Sequence, residues 1–455
     1  MADRSLRRAR PSTLVCAATL ALAACNPDAV PVGPSVAVDT VGDTTIVRTL
    51  SGSVWNTEAA LVPEVSIGEL EGADEYLFGR IGSLAVDNDR NVYVFDTQAN
   101  HVHVFDAEGA YLATFGREGE GPGEFARAET IAVLPDGRLL VRDPGNMRVQ
   151  VFDPASGETD EWPYNSGNTY RPGAPMPTDV RGRTFLLTSE QTGDDIVIVL
   201  GPDGTNLDTL PEPTTDYERI FVSAKTENAS VTSPVPFTPR FFWAVHPSGH
   251  FLTGLSADYR IDLSRDDGVL RIERDYDPVP VSDGERDYRR ESLVRMMRFT
   301  VPDWTWDGPG IPGHKPVFNQ LLSGRDGRIW VRLTTLALRV ENENHDPENP
   351  FSEPVTWEES TRYDVFEPDG TYLGVVVPPD EFAASPDPVF DGDYVWAVAR
   401  DELGVERVVR YRIEVGDVGG DGEGARGGGE FSSTRSFVLR GGFGHSGMTS
   451  PVVKM

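Results

Sequence analysis

An all-β, six-bladed β-propeller is the fold this sequence predicts, and three observations predict it. One stretch is written twice. AVDNDRNVYVFDTQANHVHVFD runs from Ala85 to Asp106 and AVLPDGRLLVRDPGNMRVQVFD from Ala132 to Asp153, aligned without a gap at an offset of 47 residues. A fixed period of that size marks an array of small sheets, none of which buries its own faces. The second copy divides into short strands, Ile131–Val133, Arg138–Arg142 and Arg148–Phe152, with turns at Pro135-Asp136-Gly137 and Asp143-Pro144-Gly145-Asn146 and room for a fourth strand. Four short antiparallel strands in about 40 to 50 residues make a propeller blade. Val92-Tyr93-Val94-Phe95 and Leu139-Leu140-Val141 are apolar at both parities. A sheet with one wet face alternates, so these sheets are covered on both sides, by neighbouring blades.

From the start of the chain, Arg4, Arg7, Arg8 and Arg10 form a basic region, and Leu14 to Ala24 a short apolar run, too short to span a bilayer as a mature helix. The run ends Leu22-Ala23-Ala24-Cys25, which resembles a bacterial lipobox. That resemblance implies a signal peptide over 1–24 and a diacylglycerol on Cys25. An ordinary signal peptide cut nearby is the plainer alternative. Residues 25–43 are expected to be a flexible tether, and 44–415 the propeller.

Blades one and two are the two copies. Blade three holds Arg181 to Leu187, Ile196 to Leu200 and the turn Gly201-Pro202-Asp203-Gly204. Blade four holds Phe242 to Phe251, turning at His246-Pro247-Ser248-Gly249, then Tyr259 to Leu263. Blade five holds Gly324 to Val331 and Tyr363 to Phe366, with the turn Pro368-Asp369-Gly370. Blade six holds Asp391 to Trp396 and Arg407 to Ile413. Blade six lacks a fourth strand, because the chain becomes glycine-rich from Gly416. The strand Thr44 to Thr49 is expected to fill that gap and close the ring, which removes exposed sheet edges. Three inserts interrupt the period. Residues 205–240 are rich in Thr, Pro and Ser, and a degenerate seventh blade there is the alternative count. Residues 273–315 carry one helix near 283–299, with Ser282 and Glu285 as a capping box, an apolar stripe of Leu293, Met296, Met297 and Phe299, and Pro302 as its stop. Residues 341–360 are acidic and read as a long hairpin loop. The tail 416–455 is expected to be disordered.

Composition narrows function by exclusion. The chain carries a net charge of −31, and losing residues 1–24, with four arginines and one aspartate, makes it three more negative. Such a surface repels nucleic acid and anionic headgroups, so membrane contact is expected through the lipid anchor only. Of the 2 cysteines, Cys16 leaves with the signal, so the mature chain has no disulfide and no cysteine metal site. No G-x-S-x-G elbow, H-E-x-x-H pair or Walker loop occurs.

Blade one leaves through FGREGEGPGEF, Phe115 to Phe125, and blade two ends in NMRVQVFD, Asn146 to Asp153. These residues resemble the NHL repeat, with its glycine-rich connector and N-x-R-V-Q-V-F-D strand. Blade one carries His101 in place of the arginine. With the lipobox, the chain is similar to bacterial six-bladed propeller lipoproteins related to NHL-repeat proteins. That resemblance implies a cell-envelope location and binding of proteins, peptides or other ligands. A few relatives of similar shape are lyases or lactonases.

Candidate sites follow. Asp96 and Asp143 end equivalent strands before a turn. Such carboxylates could face the channel and hold Ca²⁺, which takes six to eight oxygen ligands, or each could cap its own turn, the reading favoured here. His101 and His103 share a strand face but align with Arg148 and Gln150, read as solvent-facing. Trp304 and Trp306 sit in Val301 to Gly308, outside the repeat, and could line a ligand site with Arg295 and Arg298 of the basic helix. Packing of the helix onto the propeller is the alternative. The first expectation is a monomeric, lipid-anchored, non-catalytic binding module for a protein, peptide or glycan. The alternative is a metal-dependent hydrolase or lyase with its site at the channel mouth.

Overall fold

The computed structural model describes residues 33–164, 173–189, 194–342, 345–349, 351–401 and 403–416. The expected signal peptide, Cys25 and the tail from 417 lie outside the described residues. The chain builds six blades. Blade one is Ile81–Val86, Val92–Asp96, His101–Phe105 and Tyr111–Phe115; blade two is Thr130–Val133, Leu139–Asp143, Arg148–Phe152 and Thr159–Pro163. Blade three has Thr184–Ser189, Asp195–Leu200 and Asn206–Pro211, its innermost strand reduced to a bridge from Thr178 to Thr184. Blade four is Phe241–Val245, Phe251–Leu255, Arg260–Arg265 and Gly268–Arg274, and blade five Phe318–Ser323, Ile329–Leu333, Tyr363–Phe366 and Tyr372–Val377. Blade six joins Val389–Asp391, Tyr394–Arg400 and Glu406–Val415 to a strand from the far end of the chain, Ala59–Ile67.

The ring is therefore closed by an N-terminal strand, but a different one from the strand expected. Ala59–Ile67 runs antiparallel to Glu406–Val415, pairing Ala59 with Val415 and Ile67 with Val408. Thr44–Ser51 instead lies parallel to Gly268–Arg274, outside blade four. Pro63 and Glu64 disguise the true closing strand. Proline cannot donate to a ladder, and it is tolerated here at a register shift on the blade's outermost strand. Of the stretch 25–43 expected as a flexible tether, the described part is a strand: Ser35–Val41 pairs antiparallel with Thr44–Ser51, turning at Gly42, whose φ is +64°. The seventh-blade alternative is excluded, because residues 205–240 complete blade three and then form one hairpin, Phe221–Lys225 with Ser230–Pro234.

Burial follows from coverage on both faces. Val92–Asp96 and Leu139–Asp143 are buried along their whole length. Six apolar clusters among the described residues each fill one interface between neighbouring blades. Trp330 of blade five stacks on Phe390 of blade six at 3.9 Å between ring centroids. A seventh cluster unites the inserts: Val222, Ala224 and Val231 of the hairpin with Leu293 and Met297 of the helix, Asp283–Thr300. Ser282 caps that helix, its Oγ accepting from the Glu285 N–H at 3.2 Å. The Glu285 side chain does not reach back as a capping box would. It accepts from the buried Lys315 at 2.8 Å, and Lys315 also reaches Glu359. Phe299 of the expected stripe is 76% exposed and meets Phe351.

Candidate functional site

Alternating strands give the propeller two unlike ends. The turns between first and second strands lie at one end. There neighbouring blades are tied turn to turn. Asn88 donates to the Pro135 carbonyl (3.0 Å), Arg138 to Pro202 (2.6 Å), the Val180 N–H to Pro247 (3.0 Å) and Arg328 to Gly392 (3.0 Å). His246 Nε2 meets the Gly327 carbonyl at 3.0 Å, and Arg90 covers the Tyr394 ring at 4.9 Å. Arg325 of blade five pairs with Asp391 of blade six (3.3 Å) and reaches Asn88 of blade one beyond it (2.8 Å). The opposite end carries the second-to-third turns, the blade connectors and all three inserts.

Asp96 and Asp143 stand at this connector end, and both are fully buried. Asp96 accepts from the N–H groups of Gly79 (2.6 Å), Arg80 (3.2 Å), Gln98 (2.8 Å) and Ala99 (3.1 Å). Asp143 accepts from Ala126 (3.0 Å), Arg127 (2.8 Å) and the Asn146 side chain (2.8 Å). Each carboxylate ties its own turn to the incoming connector. Its oxygens are filled by N–H donors, which does not fit a Ca²⁺ ligand. Among the described residues no group of three or more His, Cys, Asp or Glu is placed to hold a metal.

The glycine-rich connector is held the same way. Asn146 donates to the Gly119 carbonyl (3.1 Å), and Arg148 to those of Gly121 (2.5 Å) and Glu124 (3.1 Å). Gly116, at φ +86°, has no room for a Cβ against the buried Phe125 ring. Gln150 and His103, expected to face solvent, are buried. Gln150 donates to the Asp160 carbonyl (2.9 Å), and His103 Nδ1 pairs with Thr114 Oγ1 (2.7 Å). Burial, with the neighbouring His101 second, pushes the His103 imidazole down to about 4. The His103 ring lies 4.0 Å from that of His101.

The candidate ligand residues of the insert are used inside it. Trp304 is buried in the hairpin–helix cluster and donates to the Ser223 carbonyl (3.1 Å). Trp306 donates to Gly308 (2.9 Å), and Arg298 to the Trp304 carbonyl (2.9 Å). Arg295 pairs with Glu353. The structure brings these residues together as the packing of a lobe.

A cleft that the sequence reading missed lies at the same end, where blade four meets blade five. Its volume is about 320 Å³, and Arg48, Asp258, Tyr259, Arg274, Tyr276 and Val317 line it. Below it Asp364 is fully buried. Its Oδ1 accepts from Tyr372 (2.6 Å), and its Oδ2 from Tyr259 (2.6 Å) and Arg274 (2.5 Å). Burial pushes the Asp364 carboxyl up, against the pull of Arg274 and the two hydroxyls. Burial and the carboxylate together push both hydroxyls far above the ordinary phenol range. The Arg274 guanidinium also covers the Tyr372 ring at 4.3 Å. One signal could have found this site: Asp364 interrupts an apolar strand where blades one and two carry His103 and Gln150.

Comparison with known proteins bears on the fold. A family described as "6-bladed beta-propeller" matches residues 56–158. A search of curated proteins finds no match. A solved structure from Bacteroides vulgatus, a member of the duf4221 family, is 10% identical with a TM-score of 0.43, covering 79% of this chain and 98% of that one. Virginiamycin B lyase from Staphylococcus aureus is 10% identical with a TM-score of 0.31, covering 73% and 94%. A gluconolactonase from Xanthomonas campestris is 12% identical with a TM-score of 0.33, covering 78% and 97%. At such distances no activity carries over. The family match over the first blades and the strand pairing of the whole ring agree that this chain is a six-bladed β-propeller.

Proposed function

We propose that this propeller is exported, anchored through Cys25, and acts as a non-catalytic binding module whose connector end holds a protein, peptide or glycan. One observation carries the reading: the turns at one end are tied blade to blade, while the inserts and the cleft are gathered at the other. The ionisable groups under the cleft support binding over catalysis. Asp364 has both oxygens filled by its own neighbours, so this buried carboxylate is engaged in the fold and not held ready as an acid or base. No helix among the described residues is long and apolar enough to cross a membrane.

Three experiments test it. Palmitate labelling of the whole chain against Cys25→Ser tests the anchor, and equal labelling removes it. Peptide and glycan arrays probed with the mature chain are expected to yield a ligand whose affinity falls at least tenfold in Asp258→Lys, on the cleft wall. A divalent metal that stays at one per chain through dialysis, together with lactone hydrolysis, replaces the binding module with the metal-dependent enzyme.

A further inference from the structure

On a chain with 72 acidic and 41 basic residues, most half-buried arginines meet a carboxylate. Arg142 pairs with Glu129, Arg183 with Asp179, Arg274 with Asp364 and Arg410 with Glu64. Arg219 and Arg240 do not. Both are half-buried, and among the described residues neither has an ion-pair or side-chain hydrogen-bond partner. The Nε of Arg219 is fully buried and unpartnered. The backbone links the two: Val235, five residues before Arg240, donates to the carbonyl of Ile220, next to Arg219 (2.9 Å). Burial pushes both guanidinium groups below their ordinary range, and the charge of Arg240 adds to the effect on Arg219. Only the Tyr217 phenol works against the Arg219 shift, no carboxylate does, and nothing works against that of Arg240.

Their setting is built. Arg240 immediately precedes the innermost strand of blade four, so it stands where the axis opens at the connector end. Its N–H donates to Ser256 Oγ (2.9 Å), and its guanidinium lies over Phe242 at 5.1 Å. Arg219 lies over Phe221 at 5.9 Å, at the foot of the insert hairpin, where the Val235 N–H closes onto the Ile220 carbonyl (2.9 Å). Phe221 and Ile220 are exposed beside it. Two desolvated guanidinium groups held on aromatic rings match a planar oxyanion, with an apolar surface at its side. The strongly acidic body of the protein repels a polyanion but costs a singly charged ligand little.

We infer that Arg219 and Arg240 form a binding site for a small organic carboxylate, its apolar body resting against Phe221 and Phe242. None of these four residues lines the cleft, so the proposal is tested independently of the array experiment. Thermal unfolding of the mature chain, titrated with benzoate or hexanoate at fixed ionic strength, tests it. Wild type is expected to gain melting temperature with either carboxylate, while Arg219→Gln with Arg240→Gln loses the gain. Removing two unneutralised charges is also expected to leave the ligand-free variant at least as stable as wild type, which a structural role for the pair does not allow. An absent shift, an equal shift in the variant, or a variant less stable than wild type overturns the proposal. A larger shift with inorganic phosphate than with carboxylate overturns the ligand class.

Discussion

His103 makes this fold sensitive to acid. The side chain is 5% exposed, packed in blade one, with Nδ1 on Thr114 and Nε2 lacking a partner. Burial, and then the charge of His101, lower its imidazole from 6.5 to about 4. The folded state resists this proton, so the unfolded chain binds more protons between those two values. The contribution is full above pH 6.5 and is lost as pH falls towards 4. The shift sets a ceiling of about 3.4 kcal/mol, and residual solvent contact near half-buried His101 brings the loss at pH 4.5 to about 2 kcal/mol. Blade two supplies the control, because Gln150 occupies the equivalent position and is neutral at every pH. Urea unfolding of wild type and His103→Gln at pH 7 and pH 4.5 reads the difference. Wild type is expected to lose about 2 kcal/mol more than the variant between the two. If the two lose equally, the imidazole is not held neutral by burial and the reasoning fails.

Trp330→Ala empties the stack on Phe390 between blades five and six and is expected to cost about 3 to 5 kcal/mol in urea unfolding. Asp364→Asn turns an acceptor into a donor facing Tyr259 and Arg274 and is expected to cost about 3 kcal/mol, while exposed Asp258→Asn stays within about 0.5 kcal/mol. A cost below about 1 kcal/mol for Asp364→Asn contradicts the buried network. Deleting residues 33–51 is expected to leave a cooperatively folding ring, whereas deleting 33–67 is expected to abolish the transition, followed by circular dichroism and gel filtration.

The blades were legible because their turns and apolar runs are local. Leu139–Asp143 and Arg148–Phe152 follow from the residues themselves. The helix was legible for the same reason, from Ser282 to its end at Thr300. Long-range choices were harder to read. Thr44–Ser51 and Ala59–Ile67 are both plausible outer strands, and nothing local decides which meets Glu406–Val415. Propensity favoured the β-branched segment and penalised Pro63, while the ring geometry chose the other. Asp364 was passed over because its partners, Tyr259 and Arg274, lie 105 and 90 residues away. His103 and Gln150 were misread because period-two alternation assigns polar side chains to water, and blades covered on both faces leave none there. Glu285 fits a capping box by spacing, but a buried lysine outcompeted the helix's own N–H for it.

The strand Ala59–Ile67 leaves a ribosome early, and Glu406–Val415, the ladder it needs, leaves hundreds of residues later. Through most of synthesis that segment has no partner. Closing so long a loop adds only a few kcal/mol in chain entropy, but contacts this remote slow the search for the native state. Blades one and two can assemble from what is already made, and the join between last and first cannot. A nascent or stalled chain is thus an unclosed coil of sheets with a bare edge at each terminus, open to pairing with other chains. Completion of translation, more than any single core contact, decides when this molecule becomes safe from aggregation.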